Sequence, residues 1–542
     1  MKKIGSLFIA ILLTVVLVSC SKDKFTAKAE VNDLEPGRVE ISFKLTVTDE
    51  DNLIADDAQI NVILKEMDDT VKSEKSSNKA SIKSEENGES FQFTNLKENT
   101  KYRLVVTTTW KEKSRKLLER EVSTVAVNEV RLTQANIDDF FKMKESSFRY
   151  STFILDGDLD FTEKTDMIKD NLISDFRGIF DGQEHSIKNY TIDSTNSSLG
   201  LFGQLGSEAK ISNLVLDGIT VKTKTNSSSQ SKYIGILFGQ NSSSSVEIKN
   251  ITIKNSQINI DEYSSTSSYF RVGILGGVIN GKIENVTIEN TNTLTIKANK
   301  IGSFSSSTNG AAIGGVVGEI TSNASVKNVV NAGTINLSIE QTKDKGLEGT
   351  NAKINVGGFA GVSISDINET KVSNVISKTN ILVDKLAFSI SKVATDVKSA
   401  SVDLNIGGLF GYFNGKTSNL IYEGNITVPK LTYVKDIEDE MSYEYRRVIR
   451  VGSLIGYTPA SAGSFTNLLR VNGKITIAEQ DAANLSANTL FGYSEIKSFG
   501  SNEQFGYVGE ITDSFTEIKG KQYATVEELF KDNESWIIKN YK

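Results

Sequence analysis

The chain of 542 residues contains one cysteine, one histidine and three prolines. A single cysteine excludes an intramolecular disulfide and a cysteine-based metal cluster. The single histidine, His185, excludes a zinc site built on two histidines, and no Gly-x-Ser-x-Gly motif accompanies it. Because 41 glycines stand against three prolines, we expect Gly, Asn, Asp and Ser to form most of the turns.

Charge and hydrophobicity limit the function classes further. The formal net charge of −7 is small for this length and argues against a nucleic-acid partner, which would need a basic face. A hydrophobic content of 38% is low for an ordinary globular protein but too high for disorder. A chain this long exceeds one hydrophobic core, so we expect several domains or a repeat array. We expect no cofactor and no catalytic residues.

The amino terminus has the pattern of an export signal. Lys2 and Lys3 precede an apolar run that ends at Val18 and is too short for a good membrane span. The run closes with Leu17-Val18-Ser19-Cys20, which resembles the bacterial lipobox. That resemblance implies removal of residues 1–19 and lipid attachment to Cys20, with residues 20–24 as anchor and tether. An extracytoplasmic chain, held on the cell surface or outer membrane, is the expected location; an ordinary signal peptide is the alternative.

Residues 25–132 show the period-two alternation of β-strands. Within them, Leu96, Thr100 and Tyr102 resemble the corner motif of fibronectin type III domains. There the tyrosine hydroxyl binds back to the backbone between two strands of a β-sandwich. The resemblance implies a β-sandwich over residues 25–132, and we expect a connector with a short helix over residues 133–152.

A glycine-bracketed apolar block, such as Gly235-Ile236-Leu237-Phe238-Gly239, recurs through most of the remaining chain. Such periodicity predicts a stack of coils that share one core, because no single unit can bury its apolar face alone. The glycines permit either a left-handed backbone or a close approach between coils. The closing glycines of the blocks are Gly203, Gly239, Gly277, Gly318, Gly361, Gly411, Gly456 and Gly492.

A second element of the form apolar, any residue, Asn, apolar follows each block but the last, and one further copy precedes the first block. Asparagines at one place in every coil predict either a ladder of stacked side-chain amides or a repeated turn. The asparagines of this element are Asn189, Asn213, Asn250, Asn285, Asn328, Asn374, Asn419 and Asn467.

The glycine blocks resemble the GLUG-motif repeats of bacterial surface proteins, and residues 176–189 resemble the opening coil of such arrays. These repeats occur in adhesin-like proteins and in the non-catalytic part of zinc metalloproteases that cleave immunoglobulin A. The resemblance implies a right-handed parallel β-helix over residues 153–512, but the catalytic histidine pair of the proteases is absent here. Helical spacing in residues 513–542 predicts a short C-terminal helical cap. The chain as a whole is expected to be all-β.

Three groups of charged residues are candidate sites. His185 precedes a predicted strand and lacks an evident acid partner, so we expect a structural or exposed role. The acidic run Asp156–Asp160 suggests calcium, although alternating acids on a solvated strand face are favoured because the EF-hand pattern is absent. Arg446, Arg447 and Arg450 lie among acidic residues and are expected on a solvated, salt-bridged excursion.

Long insertions between repeats are the favoured binding elements, since insertions at one point of each coil project from one side of a solenoid. They span Lys222–Lys232, Asp261–Arg271, Lys297–Gly310 and Tyr433–Arg450. Their tyrosines could stack on sugars, anchor a host protein, or pack over the solenoid flank. The tyrosines are Tyr263, Tyr269, Tyr433, Tyr443 and Tyr445.

Three functions fit these features. The favoured hypothesis is a non-enzymatic, lipid-anchored surface protein that binds a host protein or glycan through the side of its β-solenoid. The alternatives are a β-helix enzyme acting on polysaccharide, which would need grouped carboxylates in a groove, and a purely structural surface stalk.

The anchor can be tested by replacing Cys20 with alanine. Without the thiol no lipid can be attached, so the chain should move from the membrane fraction to the soluble extracytoplasmic fraction. Fractionation of the producing cell, with the mass of the processed chain, measures this. Ser19→Ala keeps a small residue before the cysteine and should leave the chain on the membrane. Membrane retention of Cys20→Ala would disprove the anchor.

Overall fold

A computed structural model describes residues 25–84, 88–164, 173–224, 231–241, 243–264, 269–300, 310–340, 351–365, 368–390, 399–435, 444–459, 464–480, 485–495, 505–514, 520–530 and 536–541. The chain divides into two compact units, residues 1–125 and residues 126–542. Strands dominate both units and the few helices are short, so the protein is all-β.

The first unit consists of two antiparallel sheets around their own core. The elements are β1 (Lys28–Pro36), β2 (Ile41–Thr48), β3 (Gln59–Glu66), β4 (Val71–Asn78), α1 (Lys79–Ser84), β5 (Glu89–Phe93), β6 (Lys101–Trp110) and β7 (Lys113–Ser123). One sheet has the order β1-β2-β5 and the other the order β4-β3-β6-β7. Alternate residues such as Phe43 and Leu45 point into the core, as the period-two pattern requires.

The hydrogen bond implied by the corner motif is present in this unit. Tyr102 is fully buried at the start of β6, and its hydroxyl accepts a hydrogen bond of 2.8 Å from the backbone N–H of Lys97. Leu96 is buried beside it in the same core. The tyrosine thereby satisfies a backbone donor at the corner that leads into β6.

The second unit is a parallel β-helix. In chain order each complete coil supplies one strand to each of four parallel sheets, which we name S1 to S4, and the next coil begins again at S1. The asparagine element lies in S1, the excursions join S2 to S3, and the glycine block forms the corner between S3 and S4. The repeat in the sequence is therefore one turn of the coil.

The first strands of S1 and S2 precede the first strands of S3 and S4 in the chain. S1 contains Glu129–Leu132, Thr152–Leu155, Leu159–Asp160, Ile179–Asp181, Ser186–Lys188, Lys210–Asp217, Glu247–Lys254, Lys282–Ile288, Ser325–Asn331, Val372–Ser377, Thr417–Tyr422, Phe465–Val471, Phe505–Val508 and Lys521–Tyr523. S2 contains Thr191–Asp193, Thr220–Lys224, Gln257–Ser264, Thr293–Lys300, Thr334–Glu340, Asn380–Ile390, Ile426–Val428, Leu431–Lys435 and Ile475–Ile477.

The other two sheets flank the glycine corner. S3 contains Ser198–Leu199, Lys232–Ile234, Phe270–Gly273, Ala311–Gly314, Asn351–Gly357, Ser399–Gly407, Glu444–Gly452 and Leu485–Asn488. S4 contains Phe202–Leu205, Phe238–Asn241, Gly276–Ile279, Val317–Ile320, Ala360–Ile364, Phe410–Asn414, Ile455–Thr458 and Phe491–Ser494.

One continuous core runs from Leu132 to Phe491 between these sheets. In-register pairing places like residues above one another, as where Ile211, Ile248 and Ile283 stack in S1. Each such side chain gains about 1.5 to 3 kcal/mol from full burial. Because both neighbours of a coil supply this burial, the repeated apolar positions hold the stack together.

An amide ladder runs along S1. The Nδ2 of Asn250 donates to the Oδ1 of Asn213 at 2.7 Å, and the same bond repeats coil by coil as far as Asn467, at distances up to 3.1 Å. Every ladder asparagine has a positive φ, between 53° and 59°, which Asn tolerates better than other side-chain-bearing residues. Both structures predicted from the sequence, the amide ladder and the repeated turn, are therefore present, because each ladder asparagine also bends its strand.

Asn189 was wrongly assigned to this ladder. The ladder position of its coil is occupied by Asp181, whose Oδ1 accepts from Asn213 Nδ2 at 2.9 Å. Asn189 instead lies at the turn from S1 into S2 and donates to Asp160 Oδ1 and Thr162 Oγ1, each at 3.0 Å. Only 24 positions separate Asn189 from Asn213, against 37 between Asn213 and Asn250, so the spacing already set it apart.

Seven of the eight closing glycines, all but Gly203, are required by close packing between coils. A Cβ on Gly411 would lie 2.7 Å from the carbonyl oxygen of Gly361, and one on Gly456 would lie 2.7 Å from that of Gly411. Their φ angles are not in the left-handed region. Close approach between coils, rather than a left-handed backbone, therefore accounts for these glycines.

The amino-terminal end of the coil stack is closed by a 3₁₀ segment, Gln134–Lys144, in the region where the sequence predicts a short helix. Its Phe140 packs against Phe161, with ring centroids 5.2 Å apart, and joins the main core. The strand Glu129–Leu132 pairs with Thr152–Leu155 in S1. It belongs to the β-helix rather than to the sandwich, so the predicted boundary after residue 132 is corrected to residue 125.

The C-terminal helices α2 (Val526–Leu529) and α3 (Trp536–Tyr541) cover the outer face of S1. Their apolar side chains pack on Ile376, Ile421 and Leu469, which face away from the main core. The corresponding positions in earlier coils are Val215, Thr252, Thr287 and Val330, of which Val330 also packs against this cluster. The helical cap thus covers the side of the coil stack where its outward row becomes apolar.

The ladder predicts a graded loss of stability at Asn328. Asn328→Ala removes two side-chain hydrogen bonds and places alanine at a φ of 59°, which should lower the free energy of unfolding by about 2 to 4 kcal/mol. Asn328→Gly relieves the backbone strain but not the lost bonds, so it should cost about 1 kcal/mol less. Denaturant unfolding measures both. Wild-type midpoints for both variants would show that the ladder contributes nothing.

A second stability prediction concerns Lys232, which occupies the S3 position held by Phe270 in the next coil. It is almost fully buried, its ammonium donates to the carbonyls of Thr195 and Asn196, and burial lowers its pKa from 10.5 to about 8. Between pH 8 and 10.5 the unfolded chain binds more protons than the folded one, so this group makes stability rise with pH.

Lys232→Met removes that dependence. The stability of the variant relative to the wild type should therefore fall by about 2 to 3 kcal/mol between pH 7 and pH 10, as measured by denaturant unfolding at each pH. Lys222→Met, at an exposed lysine on the neighbouring S2 strand, should show no such change. Parallel pH profiles for wild type and Lys232→Met would contradict the prediction.

Candidate functional site

The tyrosines predicted to bind ligand do not form one site. Tyr263 is 1% exposed and packs on Phe270, with ring centroids 4.1 Å apart, so the prediction that it binds ligand is wrong. Tyr269 is 42% exposed, and the guanidinium of Arg271 lies 4.8 Å from its ring centre. Tyr443 and the side chains of Tyr433 and Tyr445 lie outside the described residues.

His185 lies in a loop of the first coil, between two short S1 strands. Its Nδ1 is 3.6 Å from Asp158 Oδ1, and both side chains are substantially exposed. The same carboxylate accepts from Lys188 Nζ at 2.6 Å and from the backbone N–H of Ser186 at 2.8 Å. The hydrogen bond from Lys188 is the main cause that lowers the pKa of Asp158. The Asp158 carboxylate therefore forms a structural ion pair with Lys188.

The acidic run does not converge on one point. Asp156 pairs with Arg131 at 2.9 Å, whereas Asp160 accepts from Thr162 and Asn189. Calcium would need several carboxylate oxygens directed at a single centre. No group of three or more His, Cys, Asp or Glu side chains that could hold a metal ion occurs in the described part of the chain.

Arg450 is buried rather than solvated, which corrects its placement on a solvated excursion. It is 8% exposed, and its Nη1 donates to Asn405 Oδ1 at 2.9 Å. Its guanidinium lies 4.8 Å from the ring centre of Tyr457 and 5.4 Å from that of Tyr493. The side chains of Arg446 and Arg447 lie outside the described residues.

Arg450 belongs to a lateral surface where the outer faces of S3 and S4 meet. We name it the tyrosine–cation surface and define it by Lys353, Asp403, Tyr412, Arg450, Tyr457, Tyr493 and Glu495. Tyr412, Tyr457 and Tyr493 lie in one outward row on successive S4 strands. The row is separate from the main core, since Tyr412 and Tyr457 pack instead with Ala312 and Val362.

The three tyrosine rings form a stack that opens toward solvent. The centroids of Tyr412 and Tyr457 are 5.6 Å apart, and those of Tyr457 and Tyr493 are 6.0 Å apart with an interplanar angle of 9°. Exposure rises from 4% at Tyr412 to 44% at Tyr493. The spacing follows from in-register strands, which set like side chains one strand apart.

Cations and carboxylates line the stack. Lys353 Nζ lies 5.2 Å from the ring centre of Tyr412 and 5.7 Å from that of Tyr457. The hydroxyl of Tyr457 donates to Glu495 Oε1 at 2.6 Å, and Arg450 Nη1 is 3.8 Å from Asp403 Oδ2. Rings flanked by cations are stabilised by the ring quadrupole. Such a surface offers stacking faces, donors and acceptors together.

Burial shapes the electrostatics of this surface. It lowers the pKa of Lys353 to about 8 and raises the pKa of Tyr412. Burial, with the Glu495 carboxylate beside the hydroxyl, also raises the pKa of Tyr457. Tyr412 and Tyr457 are therefore phenols at neutral pH, able to donate as well as accept.

The sequence carried a signal for this surface that was missed. Each of its tyrosines directly follows a closing glycine, as Gly411-Tyr412, Gly456-Tyr457 and Gly492-Tyr493. In earlier coils that position holds Gln204, Gln240, Val278, Glu319 and Val362. Aligning the repeats on the closing glycine would have shown three consecutive aromatic residues in one outward row.

Two comparisons found no relative, and one found a distant structure. No family model and no curated protein matches the chain. Among solved structures, the family 28 exopolygalacturonase of Yersinia enterocolitica matches with 8% identity over 91% of this chain and 100% of that chain, at a TM-score of 0.19. The β-helix assignment rests on the strand pairing described above. Among the described residues, none of the helices has the length and apolar character needed to span a membrane.

Proposed function

We propose that the chain is a lipid-anchored bacterial surface protein of the GLUG-repeat type that binds a macromolecule through the side of its β-helix, without catalysis. A fibronectin type III-like domain would then lie between the anchor at Cys20 and the β-helix. The tyrosine–cation surface is the observation that carries the proposal. Tyr and Arg are the residues most enriched where proteins bind one another or a ligand.

The surface has features that a folding role alone does not require. The outward positions of S4 in earlier coils are held by glutamine, valine or glutamate, and the S4 strands of those coils pair in the same parallel register. Tyrosines at this position in three successive coils, together with two buried or half-buried cations, are therefore not needed to form the coil itself. The tyrosine row faces away from the core, where a partner can reach its exposed end at Tyr493.

An enzyme acting on polysaccharide is the second candidate, favoured by the two carboxylates of the same surface. Glycoside hydrolysis needs a paired acid and base placed across the scissile bond. Here Glu495 accepts a hydrogen bond from Tyr457, and Asp403 lies beside Arg450. Both carboxylates are engaged with their neighbours, which supports binding over catalysis. A purely structural stalk is the third candidate.

The proposal predicts saturable retention without cleavage. The chain from Ser21 to Lys542 would be applied to immobilised host matrix proteins, mucins, and neutral and acidic polysaccharides, with released fragments measured in the same samples. One ligand should be retained, and the double variant Tyr457→Ser and Tyr493→Ser should weaken that retention at least tenfold, because it removes the stacking faces.

Leu382→Ala is the matched control, because Leu382 is 43% exposed on sheet S2, compared with 44% for Tyr493. It should retain the ligand as the wild type does. Release of fragments would replace the binding proposal with the enzyme. No retention across the panel would leave the stalk. Retention unaffected by the double variant would place binding elsewhere on the chain.

A further inference from the structure

Tyr493 presents the accessible end of the tyrosine–cation surface. Its ring is nearly parallel to that of Tyr457, and it is 44% exposed. The strand that carries it, Phe491–Ser494, ends sheet S4 among the described strands, so no further tyrosine of the row covers it there. A ring supported on one side and open on the other is a platform for a flat ligand.

Polar groups surround this platform at short range. The guanidinium of Arg450 lies 5.4 Å from the ring centre of Tyr493. Glu495, two residues along the chain, is exposed and accepts from the Tyr457 hydroxyl at 2.6 Å. A ligand stacked on Tyr493 would therefore meet the exposed Glu495 carboxylate near its edge, while the buried Arg450 contacts the ring from the protein side. This combination suits a ligand with one apolar face and hydroxyl groups around its rim.

The charges of the surface balance. Lys353 and Arg450 supply two cations, and Asp403 and Glu495 supply two carboxylates. Arg450 is already 3.8 Å from Asp403, so one of the two cations is paired within the surface. An anionic ligand would need an excess of positive charge, which this set of residues does not offer.

From this geometry we propose that Tyr493 and Glu495 form a binding site for a neutral glycan. A pyranose ring stacks its apolar face on Tyr493, and its hydroxyls hydrogen-bond to Glu495. Tyr457 and the buried Arg450 support the ring of Tyr493 from the protein side. The inference rests on the proposed lateral binding function and names the ligand class for it.

The chemistry predicts weak salt dependence. Stacking and hydroxyl hydrogen bonds involve no net charge on the ligand, so affinity should change less than about twofold between about 0.05 and 0.5 M salt. Binding of an acidic polysaccharide through the two cations would instead weaken steeply over that range. Salt dependence therefore separates the two kinds of recognition on the same protein.

The test uses the chain from Ser21 to Lys542 and two soluble probes, a neutral mixed-linkage glucan and polygalacturonate. Calorimetry should give saturable binding of the glucan only. Tyr493→Ala should weaken it at least tenfold, whereas Tyr493→Phe, which keeps the ring, should remain within about threefold. Leu382→Ala should match the wild type. Because Tyr493 is exposed, its loss should leave the unfolding midpoint unchanged, and that midpoint is measured for every variant.

Each result decides between the two proposals. Glucan binding that is lost in Tyr493→Ala and insensitive to salt supports the inference. Glucan binding unchanged by Tyr493→Ala overturns this site but leaves lateral binding in place. Saturable binding of polygalacturonate or of a host protein, without glucan, overturns the neutral-glycan assignment alone. Binding of no probe and no host ligand overturns both.

Discussion

The in-register stacking of coils is the constraint on which the β-helix depends. Each coil lies one strand spacing from the next, so every position meets its own counterpart above and below. Positions where backbones approach most closely accept only glycine, as at Gly411, whose Cβ would lie 2.7 Å from the Gly361 carbonyl oxygen. Positions where the strand bends are filled by asparagine, which tolerates the bend and bonds to its counterpart. The two repeat signatures in the sequence are consequences of this one spacing.

Because the register is constant, the residue type along one outward row can change without altering the core. On S1 the row changes from Thr252 and Thr287 to Val330, Ile376, Ile421 and Leu469, and the C-terminal helices cover this apolar part. On S4 the row changes from glutamine and valine to three tyrosines, and it stays partly open. One apolar row is therefore used for packing within the chain, whereas the aromatic row remains available to a partner.

Periodicity predicted the fold well because glycine and asparagine positions are set by backbone geometry, which any copy of the coil must obey. It failed at Asn189, where the first coil replaces the bend with a loop and puts Asp181 in the ladder. It also failed for the candidate site. The sequence predicts that Tyr263 binds ligand because it lies in an excursion between coils. In the structure its ring packs inward on Phe270, because tertiary packing decides which way a side chain points there. The row after the closing glycine was readable from the sequence, but only when the copies were aligned with one another.

The amide ladder has a direction. In each of the six bonds between asparagines the Nδ2 of the later coil donates to the Oδ1 of the earlier one, so the side-chain dipoles point the same way along S1 from Asn467 to Asn213. Their partial positive charges are directed toward the first coil, where the carboxylate of Asp181 accepts the final hydrogen bond. An anion at that end complements the aligned dipoles, as an acidic residue does at the start of an α-helix. The ladder is thus an electrically polarised column whose positive end is neutralised by a built-in counter-charge.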